Sequence, residues 1–353
     1  MKGRKVEVSI EIKRDIEVFI EELRFRKFSD SAYLAKTTLD LLKRIISDSD
    51  WTNASDLMEI IRKEGKCLIE ANPVETAVGN VIKRVLKIIR DEYLILRGKH
   101  AEGDLQESLQ NMWLAEGQTD DYGDILPNLK EQIVEGIDEL SREIDTSADN
   151  IVAQALEHIH SDELIMTAGK SRSVESFLKT AAKKRKFQVI VAESAPFYNG
   201  QEMAKSLALN GIETTVIPDS SIFSIMSRVN KVILGTHSVM ANGGLKAFSG
   251  SHALALAAKH YSVPLIVCVP VFKLTPQYLC SHDQDAFNCF ASPEDVMTFG
   301  EGKILSDVQI INPVFDYVPP ELVTLFVLNI GGNSPTYIYR LLSELYHPND
   351  YVL

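Results

Sequence analysis

The sequence predicts a mixed α/β protein: an N-terminal helical domain, residues 1–160, followed by a doubly wound, mostly parallel sheet domain, residues 161–353. Three observations carry that prediction. Apolar residues recur at helical spacing through the first part of the chain, and after His160 short apolar runs alternate with amphipathic stretches. The length, 353 residues, also exceeds what a single core usually holds.

The helical elements follow in order. Ile16, Phe19, Ile20 and Leu23 make one apolar stripe, and Leu34, Thr38, Leu41, Leu42 and Ile45 make a second. Leu57, Ile60 and Ile61 follow the cap-rich segment from Thr52 to Ser55, and Val78, Val81, Ile82, Val85, Leu86 and Ile89 trace a longer helix ending near Tyr93. From Ala101 to Asn128 there is no Lys or Arg while Asp and Glu accumulate, which predicts a mobile acidic loop near 101–128. Helical period resumes at Leu129, Ile133, Ile137, Leu140 and Ile144. Ser147 to Asn150 then offer caps for a separate helix from Ile151 to Ile159.

In the second domain the runs 164–167, 189–192, 214–217, 232–234 and 265–269 are apolar on both faces, as buried parallel strands require. The stretch 173–186 between the first two carries its charges outward, and Asn210-Gly211 reads as a helix stop. This is a Rossmann-like pattern, and it puts any ligand site at the carboxyl ends of the strands, in the segments 168–172, 193–200, 218–221, 235–243 and 270–273. The stretch 316–332 fits strand or helix, and a last helix is expected from about Pro335 to Leu345. No internal repeat is visible.

Composition narrows the function. The balance of 37 Lys plus Arg against 49 Asp plus Glu gives a formal charge of −12, which repels phosphate backbones and anionic membranes, so neither nucleic acid nor a membrane is expected as a direct partner. The four cysteines, Cys67, Cys268, Cys280 and Cys289, form no CxxC pair and fit a reducing compartment. With no apolar leader at the N-terminus and no membrane-length apolar run, the expectation is a cytosolic protein.

The motifs read blandly. Gly169-Lys170-Ser171-Arg172 follows a strand but is no P-loop; it makes a tight turn, with Lys170, Ser171, Arg172 and Asn242 as the candidate polar lining of an anion pocket. His158 and His160 are two residues apart at a helix end, with no third ligand at a fixed offset, so neither a metal nor a cofactor is expected. His237 stands at a strand end without an evident nucleophile or carboxylate partner. The basic run 183–186 reads as a solvated helix end, and Asp120, Asp121 and Asp124 as solvated acid. Glu135 and Glu139, off the apolar stripe of the helix at 129–144, are the candidate contact for a basic partner.

Several blocks carry a resemblance that spans nearly the whole chain: 71–73 with 85–90, EHIH at 157–160, 229–235, 255–260, FDYVPPEL at 315–322 and YRLLSELYHP at 339–348. Together they resemble the family of alpha, beta and delta regulatory subunits of eukaryotic translation initiation factor 2B, and the EHIH and YRLLSELYHP blocks resemble its beta branch. The resemblance implies a non-catalytic, cytosolic subunit of the guanine nucleotide exchange complex for initiation factor 2. It implies a decamer with alpha, delta, gamma and epsilon subunits, in which the helical domain receives the alpha subunit of initiation factor 2 and helps sense its phosphorylation.

The same superfamily includes sugar-phosphate isomerases, so the alternatives are an isomerase-like enzyme or a metabolite-binding sensor. Residues 167–172 resemble the isomerases' THCNTG block and residues 235–248 their GADRIAANGDVANK block. By that likeness the catalytic Cys position is Gly169 and the catalytic Asp position is His237. The substrate-holding Asn-Lys pair falls on Ala247 and Phe248, and a further substrate Arg falls on Ala195.

Overall fold

A computed structural model describes residues 9–25, 30–98, 122–278, 287–301 and 307–352. The chain divides into two compact units: residues 1–145 together with 341–353, and residues 146–340. This division differs from the boundary expected at 160/161 at both ends. Near the expected boundary, helix α5 runs unbroken from Leu129 to Ala153, 25 residues, straight through the caps foreseen at 147–150. Ser147 is buried in it rather than starting a new turn. At the far end, the last residues belong with the first unit because they are held by groups hundreds of positions away in sequence, which no local period reports.

In the first unit, α1 (Ile10–Arg24), α2 (Ser31–Asp48), α3 (Ala54–Ala71) and α4 (Thr76–Leu96) form where the stripes predict. The side chains of Ser9, Asp30 and Asn53 accept amide hydrogens in the first turns of α1, α2 and α3, so the chain enters each helix with an orphan donor satisfied. The stripes meet in a core of Leu23, Leu39, Leu42, Ile45, Leu57, Ile61, Leu68, Ile82, Leu86 and Ile89, all almost fully buried. Gly65 lets α3 and α4 approach closely: a Cβ there would stand 2.8 Å from Ile82 Cγ2. Of the acidic stretch, 101–121 lies outside the described residues, while 122–126 has no regular structure.

The chain re-enters this unit at Leu341, and Leu342 and Tyr346 are buried in it. Burial and then the charge of Arg90 depress the pKa of His347 to about 4. In the unfolded chain that ring titrates near ~6.5, so on acidification the unfolded state takes the proton first. The associated stability is present above pH ~6.5 and is lost as the pH falls towards ~4. Urea unfolding should therefore show the wild type losing about 1–2 kcal/mol more than His347→Gln between pH 7 and pH 4.5, after allowance for solvent screening. Parallel losses in the two proteins would mean that His347 is not held neutral.

The second unit is a seven-stranded sheet in the order β10-β9-β7-β4-β1-β2-β3, with a three-stranded antiparallel sheet β5-β6-β8 beside it in the chain's course. The strands are β1 (Leu164–Ala168), β2 (Gln188–Ala192), β3 (Glu213–Ile217), β4 (Lys231–Gly235), β5 (Ser238–Val239), β6 (Leu245–Phe248), β7 (Leu265–Cys268), β8 (Phe315–Val318), β9 (Leu325–Leu328) and β10 (Gly331–Asn333). All pairings in the large sheet are parallel except β9 with β10. The stretch 316–332 is thus mainly strand, with one 3₁₀ turn at Pro320–Leu322 between β8 and β9.

The short α6 (Ala155–His158) precedes β1. Between strands lie α7 (Arg172–Ala182), α8 (Asn199–Leu209), α9 (Ile222–Met226) and α10 (Ser251–His260), and α11 (Ile338–Leu345) closes the series. Val174, Phe177, Leu178, Met203 and Leu207 of α7 and α8 pack with Ile165, Val189, Val191 and Ile233 of the sheet in one apolar cluster. Asn210 caps α8 and Gly211 takes φ +79°, the stop the sequence announces. No described helix is long and apolar enough to cross a membrane.

Candidate functional site

Strand order reverses between β1 and β4, and in an open parallel sheet the crevice outside those strand ends is where ligands bind. Here the loop after β1 is Gly169-Lys170-Ser171 and the loop after β4 begins at Gly235-Thr236-His237. The two loops lie against each other. A Cβ on Gly235 would stand 2.1 Å from Ser171 Oγ, so the Ser171 hydroxyl fills the space directly over the end of β4.

The adjoining loop is shaped by one acid. Asp219, at the end of β3, accepts the amide hydrogens of Ser194 at 3.0 Å and Ala195 at 2.7 Å. It thereby holds a left-handed Ser194, φ +59°, beside the cis Ala195-Pro196 bond. Gly200 then starts α8 so close to β2 that a Cβ would lie 2.1 Å from the carbonyl oxygen of Ala192. The cavity these loops enclose, lined by Gly169, Lys170, Ser194, Ala195, Phe197 and Phe248 among others, measures about 20 Å³. That is room for about one water and not for a sugar phosphate.

The expected pocket residues are distributed as follows. Lys170 lines the cavity, but its Nζ lies 2.8 Å from Glu202 in an exposed ion pair. Ser171 packs on Gly235, and Arg172 opens α7 on the surface. Asn242 sits in the turn between β5 and β6, where Nδ2 donates to Tyr317 Oη at 2.7 Å and Oδ1 accepts from the amide of Gly244 at 2.9 Å. Its polar atoms therefore brace a turn. Of the four, only Lys170 lines this cavity.

The positions compared with isomerases are apolar or ring-packed. The His237 ring lies 4.7 Å from the Phe315 ring, and Phe248 stacks on that same Phe315 ring at 5.7 Å. Ala247 is fully buried, and Lys246, beside it, is buried with its ammonium 4.9 Å from Phe315 and 5.3 Å from Phe287. A proton donor and acceptor bracketing two sugar carbons would need reacting groups where Gly169 and the ring-packed His237 stand. His158 stacks on Phe177, and His160 Nδ1 lies 2.6 Å from Arg185 Nη1, so the two rings serve different neighbours.

In the helical unit, Glu131, Glu135 and Glu139 form an exposed row on α5 at spacing four. On α4, burial and then the charges of Asp91, Glu139 and Glu135 hold Glu92 above the usual carboxylate range. Asp91 is raised as well, chiefly by burial. Gly136 brings the helices together, since a Cβ there would stand 2.8 Å from Ile88 Cγ2. The result is one acidic patch across two helices. Sequence reading found Glu135 and Glu139 but not Asp91 and Glu92, because the latter join them only through helix packing.

The family model "Initiation factor 2 subunit family" matches residues 27–335. The chain belongs to the initiation factor 2 subunit family. Within it, the chain is 43% identical over 372 residues to "Translation initiation factor eIF2B subunit beta" of Dictyostelium discoideum, covering 95% of each. Among solved structures it matches eIF2B beta from Chaetomium thermophilum with TM-score 0.72 and 26% identity, covering 96% of this chain and 93% of that one. It matches a chain of the tetrameric eIF2B-beta2-delta2 complex of the same organism with TM-score 0.70 and 26% identity, covering 95% of each.

Proposed function

We propose that this chain is a beta-type regulatory subunit of the guanine nucleotide exchange complex for translation initiation factor 2, working in the cytosol without catalytic groups of its own. The observation that carries this reading is near-full-length identity to a relative named as a beta subunit. The strand-end geometry supports it, because the positions aligned with isomerase chemistry hold Gly169, Ala195, His237, Ala247 and Phe248.

The solved complex of beta with delta supports a delta subunit as the immediate partner. Alpha, gamma and epsilon subunits complete the proposed assembly. Exposed apolar side chains of the α/β unit, such as Leu209, Phe223 and Leu256, are the kind of surface that a neighbouring subunit covers. Native mass measurement tests this: the chain mixed with delta should give a two-plus-two species, and a strictly monomeric chain indifferent to delta would overturn the reading.

The acidic patch is the proposed contact for the alpha subunit of initiation factor 2. Rim charges set association rate and salt dependence more than the final affinity, each at about 1 kcal/mol or less. Glu135→Lys combined with Glu139→Lys should slow exchange on unphosphorylated initiation factor 2 about threefold to tenfold and flatten its salt dependence, while the mass of the complex is unchanged. An exchange rate and salt slope equal to wild type would place the docking face elsewhere.

A further inference from the structure

The last residues of the chain do more than fill a groove in the helical unit. Asp350 is fully buried, and two guanidinium groups from different helices converge on it. Its Oδ1 accepts from Arg62 Nη2 at 2.7 Å and Nε at 3.1 Å, and from Arg90 Nη2 at 3.2 Å; Oδ2 accepts from Arg90 Nε at 3.1 Å. A buried charge is tolerable only when paired and hydrogen-bonded, and Arg90, itself almost fully buried, has this carboxylate for its partner.

Arg90 has a second neighbour. Its guanidinium carbon lies 5.2 Å from the centre of the Tyr122 ring, and Tyr122 in turn packs at 5.2 Å on Tyr93. The Tyr122 carbonyl accepts the amide hydrogen of Ser55 in the first turn of α3 at 3.1 Å. Two residues on, the amide of Asp124 donates to Tyr93 Oη at 3.3 Å and its carboxylate pairs with Arg97 at 3.1 Å. The segment that follows the acidic stretch is thus tied down at several points, and one of them leans on the guanidinium that Asp350 orients.

We infer that Asp350 is a positioning residue that couples the C-terminal tail to the segment 122–125 through Arg90, so that tail and segment are ordered together. Without the carboxylate, Arg90 keeps only its contact with Tyr122, which no longer suffices to hold a buried guanidinium in place. Coupling of this kind is reciprocal: whatever factor the tail contributes to ordering Tyr122, Tyr122 contributes to ordering the tail.

Hydrogen exchange on the full-length chain tests both directions. In Asp350→Asn, nearly isosteric but uncharged, exchange of the reporter amides of Ser55 and Asp124 should rise about tenfold or more, with the amides of β7 unchanged as a control. In Tyr122→Leu, the amides of Tyr346, Asp350 and Tyr351 should speed up by a similar factor. If Asp350→Asn does not fold, the Tyr122→Leu arm decides alone. The inference is overturned if the tail loosens in Asp350→Asn while Ser55 and Asp124 keep their protection, or if Tyr122→Leu leaves the tail amides as they are.

Discussion

Val267→Asp should leave no folded α/β unit. Val267 is the inner residue of β7, without solvent exposure, and pairs with Leu234 of β4 on one side and Phe326 of β9 on the other. Both partners are buried and apolar, so an introduced carboxylate would meet neither water nor a cation. An unpaired buried charge costs several kcal/mol, on the order of the ~5–15 kcal/mol by which domains are stable. The expected result is loss of soluble chain and of the proposed assembly with delta together, read by yield and circular dichroism. Val267→Ile, which keeps the β-branch and the polarity and adds one methylene, should cost only about 1–3 kcal/mol. Normal yield and melting of Val267→Asp would show that β7 does not lie at the centre of this sheet.

Gly200→Ala should be the most damaging single methyl group in the strand-end loops. The added Cβ would stand 2.1 Å from the carbonyl oxygen of Ala192 and 2.9 Å from Glu193 Cα, both backbone atoms of the strand end that cannot swing aside. Either α8 lifts away from β2 or β2 distorts, and overpacking of that kind costs about 1–3 kcal/mol or more. For a unit of this size, about 1–3 kcal/mol corresponds to a melting point lower by roughly 2–12 °C. Gly211→Ala is the comparison. Its φ is +79° but no atom stands within 4 Å of the new Cβ, so only the local backbone penalty of about 1 kcal/mol is expected. Equal effects of the two substitutions, measured by thermal melts, would remove the case that close backbone approach fixes the loop from Glu193 to Gly200.

The parallel strands were legible because each is a short apolar run, buried on both faces, set between amphipathic helices. Helices α1 to α4 were legible by their stripes. What local sequence could not show was pairing at a distance. Ser147 to Asn150 have the composition of caps, yet packing carries α5 straight through them, which is tertiary context overriding propensity.

The small sheet β5-β6-β8 joins strands up to 80 residues apart in sequence, and all three of its members are four residues or shorter, below any periodicity signal. At the strand ends, the polar residues were placed on the right loops, but their charges are answered by side chains such as Glu202 and Tyr317 that no spacing rule connects to them. The most heavily paired residue in the helical unit, Asp350, lies 260 positions from Arg90, and in sequence it is one acid among many.

The first unit is sewn from both ends of the chain: four helices and the start of α5 come early, and residues 341–353 come last. A ribosome delivers these parts in order, with the entire α/β unit in between. Throughout that interval Arg62 and Arg90 have been made and Asp350 has not. The early helices are therefore made long before the carboxylate that pairs their two arginines, and the unit can close only after residue 350 has been synthesised.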